Sequence, residues 1–388
     1  IFRFPYWIND FHLYVNWGKS GNYPLNSLSN DLFYAGSVYN ENDTNVSGLE
    51  ISNLANHNLK HEEIVEYNLG SKISLLQQRL NVSVDYFIKH FSGLFIKREI
   101  PIYYAGGSAF QNIGEMKNKG LEISLEIVPF NRPDIYWSSK FGISTNNQII
   151  TRLYDSVPLP FNNTDLLYPD FYARVNEKLG SITGYNYQGI WDNDIHAATD
   201  SEFPKYIEEA GLAYVKTDTL NPDRLTDDDK VVIGNSIPKF TFSWINSFEY
   251  KNFALDMLWY GVIGVDKYNA TKASTYISGV NSEIRNIVMD TMSYMMNEPF
   301  YQSSYFVEDA SFIRLRTLRI SYRQPDKVFS KIGITYTISF ENLLTFTKYS
   351  GYDPEATIYT NNNFTDNAID RGAYPNPRGY FFSINLSF

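Results

Sequence analysis

Few side chains in this 388-residue chain stand at spacings that chemistry uses. Glu122 and Glu126 come nearest to an acid–base pair. They lie in an alternating segment and share one strand face, roughly 13 to 14 Å apart at about 3.4 Å per residue. Carboxylate pairs that cleave glycosidic bonds stand about 5–9.5 Å apart, so these two read as polar residues lining a wall. His57 and His61 have the i, i+4 spacing of a helical metal pair, but no HExxH motif frames them and their context is a polar loop. Neither a phosphate-binding loop nor a dinucleotide fingerprint occurs. With no cysteine there is no disulfide framework and no thiolate metal site. The expectation is a protein that is not an enzyme and requires no cofactor.

The elements that would position any site are strands. Aromatic residues make up 16% of the chain against an ordinary 43% hydrophobic content, and no apolar run approaches the ~18 residues of a helical membrane span. That balance fits a membrane barrel with aromatic girdles, and also a glycan-binding β protein. The clearest alternation is the last one. Tyr380, Phe382, Ile384, Leu386 and Phe388 fall on one face, and Ser383, Asn385 and Ser387 on the other, with Phe381 the apolar exception. A soluble sheet seldom leaves such an edge unprotected. An outer-membrane barrel turns the apolar face to lipid, the polar face to the lumen and the edge to another strand. The five apolar residues are read as a membrane-insertion signal.

The same period-2 pattern predicts nine further strands. They span about 10–18, 63–75, 80–96, 120–128, 135–146, 240–249, 253–259, 312–322 and 332–344. Within 312–322 the apolar positions slip by one residue, which predicts a bulge near Arg316 or Thr317. Connections alternate short and long, the layout of an outer-membrane barrel with tight periplasmic turns and long outer loops. Three outer loops are large, at about 149–237, 264–311 and 345–378. Helical spacing predicts short helices at Tyr206–Lys216 and Tyr276–Met296. The first residue is Ile1, so the chain is expected to be a piece of a longer chain or a processed product.

A set of segments in order along nearly the whole chain carries a family resemblance. They include Trp17-Gly18-Lys19-Ser20-Gly21-Asn22, Asn118-Lys119-Gly120-Leu121-Glu122, Gly184-Tyr185-Asn186-Tyr187-Gln188-Gly189-Ile190 and Val232-Ile233-Gly234-Asn235. Further on come Phe306-Val307-Glu308-Asp309-Ala310-Ser311-Phe312 and Gly372-Ala373-Tyr374-Pro375-Asn376-Pro377-Arg378. The most specific is Glu341-Asn342-Leu343-Leu344-Thr345-Phe346-Thr347-Lys348-Tyr349-Ser350-Gly351-Tyr352-Asp353-Pro354-Glu355. The chain resembles the C-terminal part of a SusC/RagA-type TonB-dependent outer-membrane transporter of Bacteroidota.

The resemblance implies an all-β fold, a transmembrane antiparallel β-barrel of which this chain supplies about ten C-terminal strands of an expected 22. The whole chain would then be one part of a single barrel domain. The implied function is TonB-dependent import of glycan or peptide nutrients through the bacterial outer membrane. A SusD-like surface lipoprotein is the expected partner. The other partners would be TonB acting through an N-terminal plug outside this chain, the remaining strands in the same or a second chain, and outer-membrane lipid. Ten strands alone would leave two edges open in lipid, where unpaired backbone groups cost several kcal/mol each.

Site expectations follow. Tyr185, Tyr187, Trp191 and Asp192 lie in the family-like loop motif, and Tyr352 and Asp353 in the most specific one. Tyr and Trp stack on sugar rings or peptide side chains, so these six are candidate substrate contacts. Packing inside the loops is their plainer role. The resemblance also implies a calcium loop in which Asp218 and Asp229 take the first and twelfth positions. Leu220 and Pro222 stand where inner oxygen ligands belong and Asp223 replaces the turn glycine, so a solvated acidic loop is the alternative. Net charge is −10, and residues 149–237 carry fifteen acidic against seven basic side chains, or −8. So acidic an outer surface argues against nucleic acid. Two other functions fit the pattern less well: a secreted β-rich glycan-binding protein or adhesin, and a siderophore-type TonB-dependent receptor.

Overall fold

The alternating segments become ten long antiparallel strands in a computed structural model of the protein. The structure describes residues 5–23, 32–41, 44–100, 108–154, 158–160, 169–190, 205–207, 212–215, 220, 225–276, 302–325, 332–358 and 367–387. The strands are β1 (Ile8–Asn22), β2 (Glu62–Leu75), β3 (Leu80–Glu99), β4 (Ser108–Arg132) and β5 (Ile135–Arg152). They continue as β6 (Phe240–Tyr250), β7 (Phe253–Ile263), β8 (Phe312–Arg323), β9 (Gly333–Thr347) and β10 (Gly379–Ser387). Each pairs with the strands before and after it, so sheet order is chain order. Among the described residues β1 and β10 each have one long-strand neighbour, and the sheet does not close on itself. No helix among the described residues is long and apolar enough to cross a membrane, which is silent about strands.

Register shows why the two faces differ. Phe11, Ile73, Val82, Leu125, Phe141, Trp244 and Trp259 stand directly opposite one another across seven strands. A second row nearer the short turns reads Phe130, Trp137, Phe248, Leu255, Ile320, Ile338 and Phe382. Many of these rings and branched chains stay exposed, Phe382 at 64%. One step along the strands lies the opposite face, with Lys72, Ser83, Ser124, Gly142, Ser243, Tyr260 and Arg314 in one row. A sheet that shows apolar rows outward and hydroxyls inward is built for lipid on one side and water on the other.

The bulge falls where the sequence slips. Leu258 pairs with Thr317 and Trp259 with Leu315, leaving Arg316 as the extra residue. Across the next ladder Asn342 takes the left-handed conformation with φ 51°. The turn joining β2 to β3 is also unusual, because Leu76, Gln77 and Gln78 all have positive φ (55°, 59° and 65°) and none is glycine. Its neighbours hold it: Gln78 N donates to Asn9 Oδ1, Leu76 N to the Trp7 carbonyl and Val128 N to the Arg79 carbonyl.

Two expectations change. The helix expected over Tyr206–Lys216 is replaced by short strands, Lys205–Ile207 and Leu212–Val215, which pair with each other and through the second with Tyr187–Ile190. Tyr206 faces Tyr214, and aromatic and β-branched residues favour that extended pairing. A hairpin of Leu32–Glu41 with Thr44–Asn53 was not expected at all. The other expected helix, Tyr276–Met296, lies outside the described residues beyond Tyr276. A helix does run just before it, Ala270–Tyr276, with Asn269 Oδ1 accepting from the Lys272 amide as a cap.

Candidate functional site

The longest strands run well past the apolar band of a membrane. β4 has 25 residues, which at about 3.3 Å each reach roughly 80 Å, against an apolar band of about 25 Å in such barrels. Their far ends carry the long connections, and these pack together into a cap. Phe171, Ile182, Tyr268, Phe306, Ala368 and Ile369 form its buried core, drawn from four separate segments of the chain. Ile182, Tyr268 and Phe306 are wholly buried, with the rings of Tyr268 and Phe306 edge to face at 6.0 Å. Small sheets stitch the core: Asp170–Ala173 and Val231–Asn235 flank Ser181–Gly184, while Asp266–Asn269 pairs with Val307–Asp309 and Ile369–Asp370. Gly184 sits where a Cβ would come within 2.2 Å of the Gln302 carbonyl oxygen, so only glycine lets those backbones meet.

Buried charge pins the cap to the wall. Arg314, 2% exposed on β8, donates to Asp353 Oδ1 at 2.6 Å and Glu355 Oε2 at 2.7 Å. The bulged Arg316 donates to the other oxygen of Glu355. Asp353 also accepts from the amides of Glu355 and Asn376, each at 2.9 Å. Burial pushes the Asp353 carboxyl up, but those amides and the Arg314 guanidinium outweigh it and hold the group below the usual carboxylate range. Glu308 behaves alike: burial is overcome by the Ser350 amide and hydroxyl and by Lys272. Lys230 pairs with buried Asp170 and with Asp227, which together hold its ammonium above the ordinary range despite burial. Lys267, 5% exposed, donates to the Ala356 carbonyl at 2.9 Å, and burial pulls its amine down.

The expected substrate contacts separate in this setting. Tyr185 and Tyr187 pack against the cap core. Tyr185 exchanges backbone hydrogen bonds with Gln302 and Ser304 and lies under Lys230, while Tyr187 meets Tyr305 edge to face at 5.4 Å. Burial pushes both hydroxyls up. Asp353 is buried in the arginine cluster, and its neighbour Tyr352 is 69% exposed. The bond from the Asn376 amide to Asp353 draws in a second open ring, Tyr374, 88% exposed. Tyr374 lies in the Gly372–Arg378 motif and was not among the six expected contacts. Trp191 and Asp192 lie outside the described residues.

Among the expected insertion residues Tyr380, Phe382, Ile384 and Leu386 share one face of β10, an edge strand exposed on both faces, and Phe388 lies outside the described residues. Asp218 lies outside them too. Asp229 is wholly buried, and its carboxylate accepts from the Thr226 amide and hydroxyl, capping its own turn. Leu220 is 88% exposed, and the rest of the expected calcium loop from Asp218 to Arg224 lies outside the described residues. No group of three or more His, Cys, Asp or Glu among the described residues is placed to hold a metal. Asp85 and Glu122 face each other on the polar face of the wall, above a groove of about 360 Å³ lined by Ser124, Ser144, Thr241 and Tyr260. Glu126 borders a second, neighbouring groove.

Fold and faces define a class: the wall of a membrane β-barrel with an outer cap. The sequence pattern of the TonB-dependent receptor-like β-barrel matches residues 4–343, and the chain belongs to that family. It is a family of receptors and transporters, in keeping with the expectation of no enzyme, and it leaves the secreted reading without support. TonB-dependent receptor P3 of Formosa agariphila is 30% identical, over 96% of this chain and 39% of that one. TonB-dependent receptor SusC of Bacteroides thetaiotaomicron is 22% identical, over 86% of this chain and 32% of that one. The solved RagAB peptide importer in its closed-closed state has the same fold (TM-score 0.76, 23% identity, 99% of this chain and 41% of that one). The chain spans about two fifths of the length of the curated relatives it matches.

Proposed function

We propose that the whole protein imports glycan or peptide nutrients across the bacterial outer membrane, and that these ten strands are part of its channel wall. One observation carries the reading: a ten-stranded sheet with continuous apolar rows on one face and a hydroxyl-lined groove on the other, topped by a charge-locked cap. Energy would come from the proton-motive force through TonB, acting on a plug outside this chain. A SusD-like surface lipoprotein would hold cargo against the cap, where Tyr352 and Tyr374 present open rings for stacking.

The test is uptake by cells expressing the full-length receptor, offered labelled oligosaccharides and oligopeptides in turn. Import of one class should stop on addition of a protonophore, and a surface lipoprotein should co-purify with the receptor in detergent. Replacing both Tyr352 and Tyr374 with Ala should raise the KM for uptake about tenfold at an unchanged amount of receptor in the membrane, as expected for two lost stacking contacts. Uptake that survives the protonophore would defeat the energetic part of the proposal. An unchanged KM would remove the two tyrosines from it.

A further inference from the structure

The apolar face of the wall changes character at one level. From β1 to β4 its rows read Val15, Leu69, Tyr86 and Leu121, then Trp17, Tyr67, Ile88 and Lys119, then Lys19, Val65, His90 and Lys117. On three of the four strands the residue that follows the last apolar one on this face is basic: Lys19 after Trp17, His90 after Ile88 and Lys119 after Leu121. The level fits a membrane surface. Along β3, ten residues separate Leu80 at the short turn from His90, or about 33 Å at ~3.3 Å each. At the tilt of about 35–45° usual in barrels this is roughly 23–27 Å of height, the depth of the apolar band. Trp17, Tyr67 and Tyr86, all exposed, lie just beneath the cations, where an interfacial aromatic belt belongs. The long connections leave from this end of the strands, so the headgroups met here are those of the outer leaflet.

Positive charge is in surplus at that level. Lys19 Nζ pairs with Glu63 Oε2 at 2.6 Å and Arg152 Nη2 with Glu115 Oε1 at 2.9 Å, both acids standing one row farther out. Glu66 and Asp85 lie on the polar face, where Glu66 pairs with Lys89. Lys117, Lys119 and His90 have no acidic partner among the described residues. Lys117 stands directly opposite His90, and Lys119 is two residues along the same strand, so the three are within about 8 Å of one another at the backbone. His90 and Lys119 are exposed and Lys117 is half-buried.

We propose that Lys117, Lys119 and His90 bind the phosphorylated sugar headgroup of an outer-leaflet glycolipid, with its acyl chains laid over Tyr86, Leu121 and the rows below. The proposal rests on the wall lying in the membrane and not on what the channel carries. Position selects a ligand with tails, because the cations continue the surface that lipid covers. A free phosphate would meet the same charges but leave the apolar rows bare.

The test uses full-length receptor, stripped of lipid in detergent and titrated with lipid A carrying its phosphates and with the same lipid dephosphorylated. Native mass spectrometry should show the phosphorylated form binding at least about tenfold tighter, since each lysine at an anionic surface is worth about fivefold. The outward double variant Lys117→Gln/Lys119→Gln should lose that preference and still bind the dephosphorylated form. Lys72→Gln/Lys89→Gln removes equal charge from the polar face of β2 and β3 and should keep the preference. Inorganic phosphate at the concentration of the lipid should leave the lipid bound; displacement would defeat the choice of a lipid. Equal binding of the two lipids by the unaltered receptor, full preference in the outward variant, or equal loss in the inward one would overturn the site. If the receptor binds neither lipid, the membrane placement of the wall falls with it, whereas binding without preference overturns the site alone.

Discussion

Wall and cap are made from one chain but solve opposite solvent problems. The cap is a small water-soluble protein in miniature: Ile182, Tyr268 and Phe306 are wholly buried, and buried charged groups such as Arg314, Lys230 and Lys267 are ion-paired or hydrogen-bonded. The wall is inverted. Ile338, Leu344 and Phe382 lie open at 46%, 44% and 64%, while hydroxyls line the interior groove. In the cap, apolar burial from water drives folding. In the wall lipid is as apolar as the side chains, so the hydrogen-bonded ladder carries the structure. The teaching is that a substitution should be judged by the solvent its face meets, and only then by its position in a strand or loop.

That contrast can be broken in four ways. Phe306→Ala opens a cavity in the cap core and should cost about 3–5 kcal/mol. External protease should then cut the cap while the wall keeps its heat-modifiable mobility on gels; joint collapse would show that the two regions are not separable. Ile338→Arg puts a charge in the lipid-facing row and should cost about 2–4 kcal/mol near mid-membrane. The same residue at Ser124, on the polar face, should stay within about 0.5 kcal/mol. Equal losses in urea titrations from liposomes would mean the faces are misassigned.

Smaller effects sharpen the same line. Gly184→Ala drives a Cβ into a backbone carbonyl in the cap and should cost about 1–3 kcal/mol. Gly18→Ala on β1 meets nothing within 4 Å and should be neutral by thermal melting. The mildest probe is acid. Asp353 and Glu308 have folded pKa values held below their unfolded ones, so their stabilisation is full above the unfolded pKa and is lost as pH falls through the folded one. Below about pH 4 amide exchange in residues 348–358 should accelerate while β2 to β5 stay protected. Exchange that is flat with pH would sink the clamp.

The wall was legible because its signal is local. Alternation runs through every long strand, and a slip of one residue gave away the Arg316 bulge. The Leu32–Glu41 hairpin escaped because Phe33, Tyr34, Ala35 and Gly36 do not alternate, and no glycine or proline marks its turn. The cap core was invisible for a deeper reason. Ile182, Tyr268, Phe306 and Ile369 meet only after three long connections close, and no period in the sequence joins them. Tyr185 and Tyr187 stood out as a motif, yet nothing local told packing from binding. Asp353 stood out in the same way and proved to be held by Arg314, 39 residues before it.

The turn at Leu76, Gln77 and Gln78 bears on the order of assembly. Each left-handed non-glycine residue costs roughly 1–2 kcal/mol, so the β2–β3 hairpin is a poor starter by itself. The bonds that hold its turn come from Asn9 and Trp7 before it and Val128 beyond it. Such a turn settles only once both flanking strands have arrived, which makes it a late checkpoint that rejects a misaligned sheet. Gln77→Gly, by easing the turn, should let the hairpin close early and shorten the refolding time into liposomes. An unchanged time would mean that the rate is set elsewhere along the sheet.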